Sequence, residues 1–199
     1  MAYLTDSFDS KIVELLRQGS VGFMPSDTIY GLSSLALNEA AVQTIHKIKN
    51  RSRHKPFIVL IDGIEMLNLL SIDKKQAEPA MQYWPGELTL ICQAENVPAW
   101  LQLGTETLAI RIPDNYELRR LIKRIGPIIS TSANIQGQPP LDSAAAAYKF
   151  FGDSLDFYIN EGKIAAQPST IARLVEGKLE VMRHGAVKIN EKEIKDDTG

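Results

Sequence analysis

The 199-residue chain has 22 Lys or Arg against 24 Asp or Glu, a formal net charge of −2, and 44% hydrophobic residues. These values favour one globular domain of α/β or α+β class, and they exclude an overall positive field that would draw the protein to nucleic acid or to an anionic membrane. The single cysteine, Cys92, lies in an apolar run and excludes a disulfide framework within the chain. The N-terminus lacks the regions of a signal peptide, and no apolar run approaches the length of a membrane span. We therefore expect a cytoplasmic protein that does not insert into a membrane.

Apolar periodicity, N-cap residues and turn residues predict helices that alternate with strands along most of the chain. In chain order the predicted elements are a helix closed by Gly19, a strand at 21–24, a helix at 39–49 capped by Asn38, a strand at 57–61, short helices at 63–70 and 74–83, strands at 88–93 and 108–112, a helix at 116–125, a short strand from Ile128, a helix capped by Asp142 or Ser143, and strands at 155–159 and 179–182. The segment from Asn190 to Gly199 alternates charges without apolar residues, so we expect it to be disordered.

Three groups of polar residues follow predicted strands. Ser-Asp-Thr at 26–28 comes at the carboxyl end of the strand at 21–24, where ligands tend to bind in α/β sheets, although turn chemistry alone explains these residues equally well. Arg111 is flanked by apolar residues, so its guanidinium needs a carboxylate or phosphate partner, and an ion pair within the chain is the alternative to a ligand. The hydroxyl and amide cluster at 130–134 is predicted as a loop, and it could merely satisfy loop backbone groups.

The most basic segment, 47–56, has five Lys or Arg and one His within nine consecutive positions. It ends a predicted helix, where cations also suit the helix dipole. The sequence contains no metal-ligand cluster, P-loop, dinucleotide fingerprint or nucleophile elbow. Cations and short hydroxyl groups at strand ends favour polyanion binding, with catalysis by positioning and charge neutralisation. The residues alone therefore predict a phosphate- or nucleotide-handling α/β protein.

Seven short motifs occur in order from about Val13 to Val187. They are PSDTIYGL at 25–32, KNR at 49–51, WPGELT at 84–89, AIRIP at 109–113, SAN at 132–134, PSTI at 168–171 and RHG at 183–185. Together they resemble the YrdC-type family, the threonylcarbamoyl-AMP synthases that begin the synthesis of threonylcarbamoyladenosine beside the anticodon of tRNA. Ser26 stands where this family usually has threonine, and Gln136 and Asp142 also depart from its pattern.

The resemblance implies a YrdC-like fold over residues 1–189, in the short single-domain form. Such a fold is an α/β (α+β) structure with a twisted mixed sheet, flanking helices and a basic concave groove. The implied reaction joins L-threonine, bicarbonate and ATP into threonylcarbamoyl-AMP and releases pyrophosphate. Mg²⁺ is expected to accompany ATP. The implied partners are a downstream threonylcarbamoyl transferase and, weakly, tRNA or double-stranded RNA.

The resemblance also assigns roles to individual residues. The implied ATP-binding residues are Lys49, Arg51, Lys55, Asn134 and Arg183. The implied threonine-binding residues are Thr28, Arg111, Ser132 and Ser169. Lys49 and Arg51 are the expected catalytic cations, and no residue is expected to bind a metal directly.

Two other functions fit parts of the sequence. One is a paralogue of the same fold without adenylate synthesis, but the K-x-R and S-x-N motifs that some such proteins lack are both present here. The other is a module that binds double-stranded RNA through phosphate and 2′-hydroxyl contacts. The acidic net charge weakens the second alternative, because only the segment 47–55 is strongly basic.

Overall fold

The computed structural model describes residues 1–50, 57–134 and 138–189. The basic positions 51–56 and the segment 190–199, which is predicted to be disordered, lie outside the described residues. The strands are β1 (Tyr3–Thr5), β2 (Gly22–Met24), β3 (Gly31–Leu35), β4 (Ile58–Leu60), β5 (Leu88–Gln93), β6 (Thr107–Arg111), β7 (Ile128–Ser132), β8 (Phe157–Ile159), β9 (Thr170–Val175) and β10 (Lys178–Arg183). The α-helices are α1 (Ser10–Arg17), α2 (Glu39–Ile48), α3 (Ala99–Gln102), α4 (Tyr116–Ile125) and α5 (Ala144–Phe151), and 3₁₀ helices span Ile64–Leu70, Lys74–Tyr83 and Gly152–Ser154.

The α4 helix has the bounds that its sequence predicts. The Asn115 side chain accepts a hydrogen bond from the Leu118 backbone N–H at 3.0 Å, which satisfies one of the free donors at the helix start. Leu118, Leu121 and Ile122 form its buried face. Gly126 follows with a φ of 99°, a left-handed conformation that glycine adopts readily at a helix end. Local signals at both ends and one apolar face are therefore sufficient to define this helix.

Within the described residues, ten strands form one mixed sheet in the order β1-β8-β2-β3-β7-β4-β6-β5-β9-β10. The pairs β1/β8, β2/β8, β4/β6 and β5/β9 are parallel, and the other neighbours are antiparallel. This arrangement confirms the predicted α/β fold with a large mixed sheet and flanking helices. No helix among the described residues is long and apolar enough to cross a membrane.

Both faces of the sheet are covered by apolar side chains. Consecutive strand residues point to opposite faces, and accordingly Val59 belongs to one buried cluster and Leu60 to the other. The smaller cluster contains the apolar faces of α1 and α4, and the larger one contains residues of α2 and α5. The central strands are therefore fixed from both sides, which gives rigid support to the side chains at their ends.

One predicted loop is part of a strand. The sequence predicts that residues 130–132 lie beyond the strand that begins at Ile128, but β7 continues through Ser132. The reason is long-range pairing, since Gly31 of β3 lies opposite Ser132 in the antiparallel register. A Cβ on Gly31 would lie 2.5 Å from Ser130 Oγ and 3.0 Å from Thr131 O. The close approach of β3 and β7 therefore leaves little room for a side chain at position 31, and their pairing extends β7 to Ser132.

Candidate active site

A cavity of ≈ 480 Å³ opens at the ends of the central strands. Its polar lining comes from segments that are far apart in the sequence and includes Ser26, Thr28, Arg111, Ser132, Ser169 and Arg183. The volume lies in the range of sites that hold metabolites. The lining residues from the described part of the chain include two arginines and no Asp or Glu, so the cavity is suited to an anionic ligand.

Arg111 lies at the end of β6 and is only 3% exposed. Its Nη2 atom lies 3.1 Å from Asp27 Oδ1, and its Nη1 atom donates to Thr28 Oγ1 at 3.2 Å. Burial lowers the pKa of Arg111, whereas the charges of Asp27 and Glu87 raise it. The ion pair within the chain, which the sequence left as an alternative, is thus present.

The ion pair leaves part of the guanidinium unused. Arg111 Nε is buried and has no hydrogen-bond partner among the described residues. A buried donor without a partner costs free energy, and Arg111 lines the cavity. Within the part of the chain that the structure describes, Arg111 therefore keeps one buried donor without a partner beside the cavity.

Ser26 fixes the turn that carries Thr28. Its hydroxyl donates to the Ile29 carbonyl oxygen at 2.8 Å and accepts from the Thr28 backbone N–H at 3.2 Å. It also accepts from Arg111 Nη2 at 3.3 Å. The hydroxyl that Ser26 shares with the family's usual threonine is therefore sufficient to make these contacts.

Ser169 precedes β9 and lies between two polar partners. Its hydroxyl is 2.8 Å from Thr89 Oγ1, and both side chains are buried, at 2% and 0% exposure. Arg183 Nη2 donates to the Ser169 carbonyl oxygen at 2.7 Å and to the Ser169 hydroxyl at 3.3 Å. Burial lowers the pKa of Arg183. Ser169 is therefore held by neighbours from β5 and β10.

Gly185 allows the segment after β10 to pack against Ser169. A Cβ at position 185 would lie 2.3 Å from Pro168 O and 2.5 Å from the Ser169 carbonyl carbon. These contacts are too short for any side chain. The glycine of the RHG motif is thus explained by the close approach of two backbone segments beside the cavity.

Lys49 connects the end of α2 to the S-x-N motif. Its side chain is almost completely buried, and Nζ donates to the Ser132 carbonyl oxygen and, at 2.7 Å, to Asn134 Oδ1. Asn134 Oδ1 also accepts from Ser132 Oγ at 2.8 Å, and its Nδ2 donates to the Gln138 carbonyl oxygen. Two donors to one oxygen fix which way the Asn134 amide points. Lys49 thus holds the segment that the sequence predicts to contact ATP.

The structure brings most of the predicted site residues together. The four predicted threonine-binding residues line the cavity with Arg183, and Lys49 and Asn134 lie directly beside Ser132. Arg51 and Lys55 lie outside the described residues, so their roles stay predictions. No group of three or more His, Cys, Asp or Glu that could hold a metal ion occurs in the described part of the chain.

Sequence reasoning missed two contributions to the site. Thr89 was identified only as part of the WPGELT motif, but it contacts Ser169. Tyr30 was identified only as part of PSDTIYGL, but its hydroxyl donates to the Gly162 carbonyl oxygen at 2.8 Å and accepts from the Glu161 N–H at 2.8 Å. This anchors the loop that carries Ala166 and Pro168 to the cavity wall. The motifs contain both residues, but a motif does not show which partners a side chain contacts.

Comparison with known proteins gives a consistent result. The pattern of the Sua5/YciO/YrdC family, which carries the description "Telomere recombination", matches residues 14–185. The threonylcarbamoyl-AMP synthase of Pseudoalteromonas translucida is 32% identical over 174 residues, which cover 84% of this chain and 93% of the relative. The threonylcarbamoyl-AMP synthase of Pyrococcus abyssi is 33% identical over 181 residues, which cover 88% of this chain and 53% of the relative. The chain thus spans about half of the length of the second relative.

Solved structures support the same relationship. P. abyssi Sua5 complexed with L-threonine has a TM-score of 0.82 and 30% identity, over 92% of this chain and 57% of that chain. Escherichia coli YciO has a TM-score of 0.81 over 94% of this chain and 96% of that chain. At 22% identity, the likeness to YciO concerns the fold alone.

Proposed function

Because the chain belongs to the Sua5/YciO/YrdC family, we propose that it is a threonylcarbamoyl-AMP synthase. One threonine, one bicarbonate and one ATP would give threonylcarbamoyl-AMP, pyrophosphate and water, as the first step of tRNA threonylcarbamoyladenosine synthesis. The observation that carries this proposal is the cavity in which Thr28, Arg111, Ser132 and Ser169 meet beside Arg183. A relative with this fold is complexed with L-threonine.

Arg111 binds the threonine carboxylate in this proposal. A guanidinium offers donors in a planar arrangement that matches a carboxylate. Within the chain, Arg111 donates through Nη1 to Thr28 and pairs through Nη2 with Asp27, and it lines the cavity in which the carboxylate would bind. Asp27 keeps the guanidinium oriented before the substrate arrives, and the apolar surroundings strengthen the new contact.

The phosphates of ATP lie on the side of Arg183 and Asn134. The threonine amine, in its neutral form, attacks carbon dioxide or activated bicarbonate, and an oxygen of the resulting carbamate displaces pyrophosphate from the α-phosphate. Positive charge near the phosphates stabilises the oxygens that gain charge. Lys49 contributes to this positive charge, and it keeps Asn134 in place through Oδ1. Arg51 and Lys55 are proposed to complete the phosphate site.

ATP enters as its magnesium complex in this proposal. The cavity lining offers hydroxyl oxygens and arginines, and the nearby carboxylate of Asp27 is paired with Arg111. This inventory fits an ion that is carried by phosphate oxygens and water rather than by a protein cage. The residues of the chain would then contact the phosphates and leave the ion to its water ligands.

The chemistry of the proposed product suggests a partner protein. A labile acyl adenylate needs a downstream threonylcarbamoyl transferase that passes the group to tRNA, and we propose such a partner. We also propose a cytoplasmic location. Weak binding of tRNA or double-stranded RNA stays a separate proposal, to be tested by filter binding across a salt series.

The decisive experiment measures pyrophosphate release by the purified protein. Release should require ATP, L-threonine and bicarbonate together, and mass spectrometry should identify threonylcarbamoyl-AMP. Release that is independent of threonine, or no release with all three substrates, would exclude the proposed reaction. Arg51→Ala should abolish turnover without unfolding the protein, whereas Arg53→Ala, a matched change in the same basic segment, should retain it. Full activity of Arg51→Ala would exclude the role of Arg51.

A further inference from the structure

The hydroxyl of Ser169 has three hydrogen-bonding positions, and the contacts of the chain account for two of them. A serine hydroxyl donates one hydrogen bond and accepts up to two. Arg183 has no acceptor atom, so its 3.3 Å contact makes the Ser169 hydroxyl an acceptor. The direction of the 2.8 Å contact with Thr89 Oγ1 then decides what Ser169 can offer a ligand.

Burial decides that direction. Thr89 is completely buried in β5, and within the described part of the chain Ser169 is the one hydrogen-bond partner of its hydroxyl. If Ser169 donated to Thr89, the hydrogen of Thr89 would be left without an acceptor in a dry environment. A buried unsatisfied donor costs about 1–3 kcal/mol. The favourable assignment therefore has Thr89 donating and Ser169 accepting.

We propose that Thr89 is a positioning residue that keeps the Ser169 proton available for the substrate. With Thr89 and Arg183 both donating to it, the Ser169 hydroxyl has its own hydrogen free to point into the cavity that it lines. Two donated bonds also polarise this O–H and make it a stronger donor. The group that Ser169 recognises is accordingly an anionic oxygen of the substrate, and not its ammonium group.

The sheet explains why Thr89 can do this. The strands β5 and β9 are parallel neighbours, with Leu88 opposite Thr170. The Thr170 N–H donates to the Glu87 carbonyl oxygen at 3.0 Å, so the backbone just before β9 is fixed against the start of β5. The separation of the Thr89 and Ser169 hydroxyls is therefore set by backbone pairing.

The test compares Thr89→Val, which keeps the shape and removes the hydroxyl, with Thr89→Ser, which keeps the hydroxyl. It rests on the proposed function only for the choice of ligand, L-threonine. Binding of L-threonine is measured by calorimetry in the presence of Mg²⁺ and a non-hydrolysable ATP analogue, and turnover is measured separately. Circular dichroism checks that each variant is folded.

Thr89→Val should weaken threonine binding by roughly two- to fivefold, because the Ser169 hydroxyl loses one of the two donors that orient and polarise it, although its own hydrogen stays free. Its KM for threonine should rise, its KM for ATP should stay within about twofold, and Thr89→Ser should restore threonine binding. The double variant Thr89→Val/Ser169→Ala should bind no more weakly than Ser169→Ala alone, because Thr89 acts only through the Ser169 hydroxyl.

Several results would overturn the role of Thr89. These are unchanged threonine binding by Thr89→Val, a loss in Thr89→Ser as large as in Thr89→Val, or additive losses in the double variant. If Thr89→Val does not fold, the comparison of Thr89→Ser with Ser169→Ala decides, and a loss in Thr89→Ser equal to that in Ser169→Ala rejects the proposal. A wild-type protein that binds threonine without releasing pyrophosphate would contradict the proposed function alone, whereas one that does not bind threonine would contradict both.

Discussion

The buried pair of Arg111 and Asp27 gives a quantitative prediction. Their side chains are each only 4% exposed, and 3.1 Å separates Nη2 from Oδ1. Removing one partner of a buried ion pair leaves an uncompensated charge and typically costs about 3–5 kcal/mol. For a chain of this size, such a loss lowers the melting temperature by roughly 6–20 °C. We therefore expect Arg111→Met to be folded but strongly destabilised.

The double variant Asp27→Asn/Arg111→Met should recover much of this loss. Both charges are then gone, which removes the uncompensated buried charge that destabilises Arg111→Met. The Asp114 backbone N–H donates to Asp27 Oδ2 at 2.9 Å, and an asparagine side chain at this position keeps an oxygen that can accept the same hydrogen bond. The double variant should therefore be more stable than Arg111→Met by on the order of 1–3 kcal/mol.

Urea unfolding followed by tryptophan fluorescence measures these differences, with equal m-values as the check on a common unfolding transition. Asp27→Asn alone completes the cycle. Equal stability of Arg111→Met and of the double variant, within about 0.5 kcal/mol, would refute the electrostatic coupling. If Arg111→Met lowers the free energy of unfolding by less than about 1 kcal/mol, the claim that it leaves an uncompensated buried charge on Asp27 is wrong.

Three further predictions concern other parts of the chain. Burial alone would raise the pKa of Asp9, but hydrogen bonds from Tyr3, Ile12 N and Thr5 lower it. The charge of Asp9 should therefore stabilise the fold above about pH 4, and this stabilisation should be lost as the pH falls through the lower pKa of the folded state. If the difference in unfolding free energy between wild type and Asp9→Asn is the same at pH 7 and pH 3, this prediction is wrong. Burial raises the pKa of the Cys92 thiol to about 12, so a thiol reagent at pH 8 should label Cys92 only in denaturant, and rapid labelling of the folded protein would show that the thiol is accessible. Gly185→Ala should displace Ser169 and lower kcat/KM for threonine by about tenfold or more. The control Gly63→Ala, whose added Cβ meets no atom within 4 Å, should leave kcat/KM unchanged. Equal activity of the two variants would contradict the steric explanation.

Local signals were sufficient for the elements that are defined by their own residues. The α4 helix and β5 were predicted with the observed bounds, because a cap, an apolar face or an apolar run marks each of them. β1 was missed, since three residues without a strong pattern form a strand only by pairing with β8. The extension of β7 was missed for the same reason, because its partner β3 lies far away in the sequence.

The sequence predicts which residues belong to the candidate site, but not which contacts they make. The motifs identify Arg111 and Ser169 as site residues, but nothing in the sequence says that Asp27 neutralises the first or that Thr89 donates to the second. The sequence also predicts Lys49 as a cation over the phosphates, without indicating that its Nζ holds Asn134. Such contacts depend on the order of strands, which periodicity does not encode.

The order in which the cavity walls are synthesised has a consequence for the newly made protein. Thr28 and Arg111 leave the ribosome well before Ser169, which directly precedes β9, and Arg183, which ends β10. Because synthesis proceeds from the N-terminus, a nascent chain that ends before β9 lacks one wall of the proposed threonine pocket. The proposed threonine pocket is therefore expected to be complete only after the hairpin of β9 and β10 has paired with β5.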